Sequence, residues 1–219
     1  MPTVAITGAG SGLGRALALK YAKNGYKIFL LGRTDTKLHI VQHEIIRAGG
    51  DAEVILCDVQ EKASVSIAFQ QIGKLDVVIN NAGVGIFGPV EDYTIGDIEH
   101  TLNTNIKGAI LTVQSALPLI KARNGRILTI ISTAGLRGKI NESIYCASKF
   151  ALKGFTESLQ KEWENEPISI TAVYMGGMNT PFWDNSEHVK DASGLKGPEP
   201  VAEQIFQEDD GRKEIYVDK

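Results

Sequence analysis

The chain of 219 residues has little of several things that mark other kinds of protein. Its two cysteines, Cys57 and Cys146, are too few for a disulfide framework at this length. No stretch approaches the roughly 20 apolar residues that a transmembrane helix needs, and no charged-then-apolar leader opens the sequence. The formal net charge of −3 leaves no field strong enough to recruit nucleic acid or an anionic membrane. The expectations that follow are a reducing, cytoplasmic setting, no nucleic-acid or membrane partner, and no metal site. The tripeptide Asn141-Glu142-Ser143 has the form of a glycosylation acceptor, which such a setting makes accidental.

What is present is a regular alternation. Short apolar, β-branched runs at 3–7, 27–32, 52–57, 76–80, 126–131, 168–174 and 214–218 predict strands. Between them, 13–24, 35–48, 61–72, 95–122 and 143–164 have helical spacing, with Gly25 and Gly49-Gly50 as stops and Pro167 beyond the last. Residues 201–206 read as a piece of helix interrupted almost at once by Glu208-Asp209-Asp210-Gly211. Strand and helix in alternation, with strands apolar throughout, predict an α/β, doubly wound parallel sheet with helices on both faces. The expected organisation is a single dinucleotide-binding and catalytic domain over residues 1–219. An irregular segment at about 176–200, punctuated by Pro181, Gly194, Gly197, Pro198 and Pro200, is expected to cover the substrate.

Directly after the first strand stands Thr7-Gly8-Ala9-Gly10-Ser11-Gly12-Leu13-Gly14-Arg15. Glycines here allow a sharp turn, close approach of backbone N–H groups to a pyrophosphate, and tight packing of the next helix on the strand. That helix then points its positive end at the phosphates. Gly8, Gly10, Ser11, Gly12, Leu13 and Gly14 are the candidate binding residues. At the tip of the second strand, where an acid would hold the ribose of NAD, the sequence has Gly32-Arg33-Thr34. Arg33 can face a 2′-phosphate as a planar fork, so NADP(H) is the expected cofactor, with NAD(H) not excluded. Asp35 is placed in the first turn of the following helix, where a carboxylate suits the dipole.

A second group of residues accumulates further on. Asn80-Asn81-Ala82-Gly83 follows the fourth strand, Asn105-Ile106-Lys107-Gly108 lies in the next helical stretch, and Ser132 follows the fifth strand. Tyr145 and Lys149 are four residues apart on a predicted helix and so share one face. The Tyr-x-x-x-Lys pair alone is a weak signal; the ordered combination is specific. In that order and spacing, from Thr3 to about Thr180, the chain closely resembles the compact, single-domain short-chain dehydrogenase/reductase family. The resemblance implies a parallel sheet of about seven strands with the site at its carboxyl edge. It also implies catalytic roles for Asn105, Ser132, Tyr145 and Lys149. Asp58 matches the family's adenine-contacting acid, the segment Asn81, Ala82 and Gly83 matches the one beside the ribose, and Arg33 matches the basic residue of NADP-preferring members. Thr180 matches the contact to the nicotinamide carboxamide, although Met175 stands where the family usually has proline.

The chemistry is coherent in its own right. Reducing a carbonyl by hydride transfer needs a proton donor at the developing alkoxide, and oxidising an alcohol needs the reverse. A phenol titrates near 10, too high for base work at neutrality, and an ammonium one helical turn away would lower it. Lys149 is also expected on the nicotinamide ribose, Ser132 at the reacting oxygen, and Asn105 at a water linking Lys149 to solvent. The function read here is thus an NADP(H)-dependent oxidoreductase acting on a small-molecule carbonyl or alcohol, with Tyr145 as general acid/base. The alternative is a catalytically silent dinucleotide-sensing or scaffold protein on the same fold. A homodimer or homotetramer is expected through the helices after Ile95 and Ser143. Ile86, Phe87, Leu136, Ile140, Met178, Phe182 and Trp183 are the candidate lining of a mostly apolar pocket, and no charged residue stands out as a substrate anchor.

Overall fold

In a computed structural model of the chain, residues 1–184, 186 and 188–217 are described. Seven strands run in the order β3-β2-β1-β4-β5-β6-β7 in one sheet, every adjacent pair parallel. They are β1 (Thr3–Thr7), β2 (Lys27–Gly32), β3 (Asp51–Leu56), β4 (Val77–Asn80), β5 (Arg126–Ile130), β6 (Ser169–Tyr174) and β7 (Glu214–Tyr216). The helices are α1 (Gly12–Lys23), α2 (Asp35–Arg47), α3 (Lys62–Gln70), α4 (Ile95–Leu102), α5 (Gly108–Lys121), α6 (Ser143–Glu162) and α7 (Pro198–Glu208).

Period-two alternation within the central strands feeds two apolar layers. Val4, Ile6, Ile28 and Leu30 face one side, where Leu17 and Tyr21 of α1, Leu38 and Ile45 of α2, and Val201 and Ile205 of α7 close over them. Ala5, Phe29 and Leu31 face the other, against Val65 and Phe69 of α3, Val113 and Ile120 of α5, and Leu159 of α6. Burial on both faces is why these strands are apolar at every position.

Three expectations are corrected. The stretch 95–122 is not one α-helix: a π-helical turn over Asn103–Lys107 separates α4 from α5. The piece of helix read at 201–206 is an 11-residue helix that begins at Pro198, so the irregular segment ends before that residue. Proline at the first helical position lacks only an N–H that would be unpaired anyway. Strand β3 lies one residue earlier than expected, leaving Cys57 just beyond it, buried, with its N–H on the Gly32 carbonyl at 2.9 Å. The last strand is described as far as Tyr216, and Asp218 of the expected 214–218 run lies outside the described residues.

The chain reverses its winding between β1 and β4, which are adjacent in the sheet. Ligand crevices form outside the carboxyl ends of the strands at such a switch point. The glycine turn, the Asn81 loop, Ser132 and Met175 all follow directly from the ends of β1, β4, β5 and β6.

Candidate active site

The turn after β1 is built as its glycines predict. Gly8 and Gly12 have φ of +67° and +51°, which side-chain-bearing residues rarely adopt. A methyl group at Gly14 would run into the backbone carbonyl of Gly8, so helix and strand approach as closely as only glycine permits. Ser11 occupies the N-cap of α1 without a side-chain cap bond, and no acid lies in the first turn. The first N–H groups of α1 therefore face the cleft with neither a capping oxygen nor a carboxylate competing for them. Thr7 ties this turn to β4: its Oγ1 accepts from the N–H groups of Asn81 and Ala82, each at 3.0 Å. Asn81 returns the contact, donating Nδ2 to the Thr7 carbonyl at 2.9 Å and the Gly8 carbonyl at 3.3 Å.

One cleft of about 790 Å³ runs from this turn to Tyr145. Gly8, Ser11, Gly12, Leu13, Gly14, Asn81, Ala82, Gly83, Ser132, Tyr145, Lys149 and Thr180 all line it. A smaller pocket of about 130 Å³ shares Gly8, Ala82 and Gly83 with it and adds Arg33 and Asp58. Of the expected binding residues only Gly10 lines neither; it packs beneath Lys37 instead. Asp58 holds its own loop, accepting from the Gln60 N–H at 3.0 Å. Asp35 begins α2 and sits 3.4 Å from His39, its partner one turn on.

Tyr145 and Lys149 lie on the buried face of α6, 6% and 4% exposed. The Lys149 ammonium donates to the Ile130 carbonyl at 3.1 Å and stands 5.7 Å from the centre of the Tyr145 ring. Burial alone pulls Lys149 down to about 8. Burial pushes the Tyr145 phenol above its ordinary value, opposed by a hydrogen bond with the Ser132 side chain and reinforced by the nearby Glu142 carboxylate. Ser132 has φ of +116°, a conformation costly for a side-chain-bearing residue, and its Oγ accepts from the Ala134 N–H at 3.2 Å.

Asn105, expected at a water beside Lys149, lies in the π-helical turn, is 1% exposed and lines neither pocket. Its amide is heavily engaged. Oδ1 accepts from the Val84 N–H at 2.8 Å, while Nδ2 donates to the Val84 carbonyl and to Ser148 Oγ, each at 2.9 Å. Ser148 in turn donates to the Tyr145 carbonyl at 2.7 Å. In this arrangement Asn105 clamps the loop after β4 to the helix carrying Tyr145.

Met175, at the departure from the family pattern, is held by its carbonyl, which accepts from the Thr133 N–H at 2.9 Å. That bond joins the loops after β5 and β6 without a fixed proline φ.

The pocket lining needs correction. Ile86, Phe87, Met178, Phe182 and Trp183 line the cleft. Leu136 and Ile140 do not; they are 38% and 86% exposed. Charged groups do enter the cleft: Lys139 and Glu142 at the Tyr145 end and Lys37 near the glycine turn. These, with Ser148 and Thr7, escaped the sequence reading. Lys37 had a usable signal, a second cation four residues after Arg33; Glu142 had none, since a lone carboxylate beside a loop reads as a solvated charge.

A phenol, a hydroxyl and a buried ammonium thus share one wall of a cleft whose other end is a phosphate-sized glycine turn. That set can hand a proton to, or take one from, an oxygen held between Ser132 and Tyr145. The residues present fit a nicotinamide dinucleotide: free helix N–H groups, two cations near the tip of β2, and glycines where side chains would fill the cradle.

Comparison with known proteins agrees. The short chain dehydrogenase family profile matches residues 2–191. An uncharacterized oxidoreductase of Bacillus subtilis, YxnA, is 31% identical over 98% of this chain, which covers 64% of that protein's length. A sepiapterin reductase of Chlorobaculum tepidum is 32% identical over 92% of this chain and 87% of its own. Among solved structures, a short-chain dehydrogenase/reductase from Burkholderia phymatum in complex with NAD superposes with a TM-score of 0.90 at 27% identity, covering 98% of this chain and 88% of the other. A Beutenbergia cavernae protein described as an NAD(P)-dependent gluconate 5-dehydrogenase, with NADP bound at low occupancy, gives 0.90 at 29% identity, covering 99% and 95%. Among the described residues, no helix is long and apolar enough to cross a membrane.

Proposed function

The chain belongs to the short-chain dehydrogenase/reductase family of oxidoreductases, and we propose that it interconverts a small-molecule carbonyl and its alcohol with NADP(H), using Tyr145 as the general acid/base. The observation that carries this reading is the convergence of Ser132, Tyr145 and Lys149 in the cleft that the glycine turn opens. A nicotinamide dinucleotide supplies or accepts the hydride; the protein's own work is positioning and proton handling. Ser132 orients the reacting oxygen beside the Tyr145 hydroxyl. Burial keeps Tyr145 as the neutral phenol, the form that carbonyl reduction requires. Lys149 would hold the ribose hydroxyls of a bound nicotinamide dinucleotide and, when charged, would favour the phenolate that alcohol oxidation requires. Asn105, through Ser148 and Val84, sets the helix and loop that frame them.

Preference for the 2′-phosphate is supported by charge. Arg33 lines the smaller pocket and Lys37 the larger, and neither is paired with a carboxylate among the described residues. The acid nearest in sequence, Asp35, is turned toward His39. The reading takes the chain as a single domain that carries cofactor and substrate in one cleft. It also takes the chain as a homodimer or homotetramer, a reading supported by the exposed Leu102 and Phe150 on the helices expected to pair.

The test is a turnover screen of ketones, aldehydes and alcohols with NADPH and NADH side by side. Tyr145→Phe should lower kcat by roughly 100-fold or more while NADPH still binds. Arg33→Ala and Lys37→Ala should each weaken NADPH binding and leave NADH nearly unchanged; equal losses for both would sink the 2′-phosphate assignment. NADPH binding without turnover anywhere in the panel would instead favour a dinucleotide-sensing protein.

A further inference from the structure

The Tyr145 end of the cleft contains a carboxylate that the proposed reaction does not use. Glu142 stands at the N-cap of α6 but makes no cap bond; its side chain turns into the cleft and is 8% exposed. A buried carboxylate is costly unless it is paired. One oxygen is 3.8 Å from Lys139 Nζ, and the other is 3.0 Å from His188 Nε2. His188 belongs to the irregular segment after β6. Its imidazole lies on the Phe87 ring, centres 4.7 Å apart and planes within 18°. Phe87 in turn meets Tyr145 edge-on at 5.4 Å. The Gly88 N–H donates to the Asn141 carbonyl at 2.9 Å, so Phe87 and Glu142 are held side by side without help from His188.

The slot between Phe87 and Glu142 therefore has a defined chemistry: a flat aromatic face, a carboxylate acceptor at its edge, and the proposed proton donor one ring away. In this structure the protein's own imidazole, a planar ring with an N–H, fills it. We propose that Phe87 and Glu142 form the substrate-recognition subsite, that it selects carbonyl compounds bearing a planar N–H heteroaromatic ring, and that His188 holds the place such a ring takes. The proposal rests on the reading of Tyr145 as the reacting centre. It places the substrate carbonyl within about one helical turn, ~5 Å, of the ring's N–H, since Glu142, at the N-cap of α6, precedes Tyr145 by three residues. Tyr145 lines the cleft beside this slot, with Phe87 and Phe182 against its ring.

Imidazole-4-carbaldehyde and thiazole-4-carbaldehyde are suitable probes, being flat five-membered aldehydes of which only the first has an N–H. Calorimetric titration of the NADP-loaded protein should show the imidazole aldehyde binding about tenfold tighter or more, the scale of one charge-assisted hydrogen bond. Glu142→Gln should bring that ratio toward one. If it does not fold, Glu142→Asp, which withdraws the carboxylate by one methylene, should narrow the ratio. His188→Ala should keep the ratio and tighten binding, because the internal competitor is gone. Equal or undetectable binding of the two aldehydes, a ratio that survives loss of the Glu142 carboxylate, or weaker binding in His188→Ala would each overturn the proposal. Turnover is read separately. A binding preference without reduction of either aldehyde would sustain the subsite and refute the catalytic reading.

Discussion

The ammonium of Lys149 stands 5.7 Å from the centre of the Tyr145 ring while donating to the Ile130 carbonyl at 3.1 Å, so helix α6 is pinned to the end of β5 by a buried charge. This contact joins stability to chemistry. Burial lowers the folded-state value of Lys149 to about 8, against 10.5 for an unperturbed lysine. Below pH 8 the protein folds around a charge that would rather be in water. As pH rises from 8 to 10.5 the unfolded chain holds more protons than the folded one, and stability increases.

Lys149→Met should therefore stabilise the fold at pH 7 by roughly 2 kcal/mol while abolishing turnover. The gain should shrink as the pH is raised toward 10. Thermal melts of both proteins across that range check the sign; a gain that grew with pH would contradict it.

Ser132 separates strain from function. Its φ of +116° suits glycine, so Ser132→Gly should raise stability by about 1 kcal/mol and Ser132→Ala should not. Both remove the hydroxyl, and both should lower kcat by tenfold or more with little change in NADPH affinity. Urea unfolding and single-turnover kinetics on the two variants distinguish the contributions.

Gly14→Ala should behave very differently from an ordinary helix substitution. A methyl there meets the Gly8 carbonyl, which is backbone and can yield only if α1 moves off β1. The expected result is a loss of about 2 kcal/mol in stability together with weakened binding of both NADPH and NADH. Differential scanning calorimetry with and without nucleotide reads both effects.

Asp209, far from the cleft, gives a stability effect without a functional one. Its carboxylate accepts from Tyr21 at 2.7 Å and from Arg126 at 2.7 and 3.0 Å, and its side chain is 2% exposed. Asp209→Ala strands the half-buried guanidinium and should cost about 3 kcal/mol in chemical denaturation. The NADPH dissociation constant should stay within twofold of the parent.

The strand–helix alternation, the glycine turn and the Tyr145–Lys149 spacing are local patterns, and local patterns survive in a one-dimensional sequence. Periodicity places Val4 and Ile6 opposite Ala5 from the sequence alone, and a four-residue step puts Tyr145 and Lys149 on one face of α6. Where propensity is uniform, the sequence was silent. The π-helical turn at Asn103–Lys107 lies inside a run with continuous helical character, and only the folded backbone, with the Gly108 N–H on the Asn103 carbonyl five residues back, reveals its extra residue. The substrate end was the least legible. Leu136 and Ile140 are apolar and near Tyr145 in sequence, yet they face solvent. Glu142, which carries no local signal, is turned into the cleft against His188, 46 residues away. The sequence by itself determined the sheet, the phosphate turn and the reacting pair, because those depend on spacing. Which side chains close over them was decided only in the tertiary structure, because packing between distant loops leaves no period in the chain.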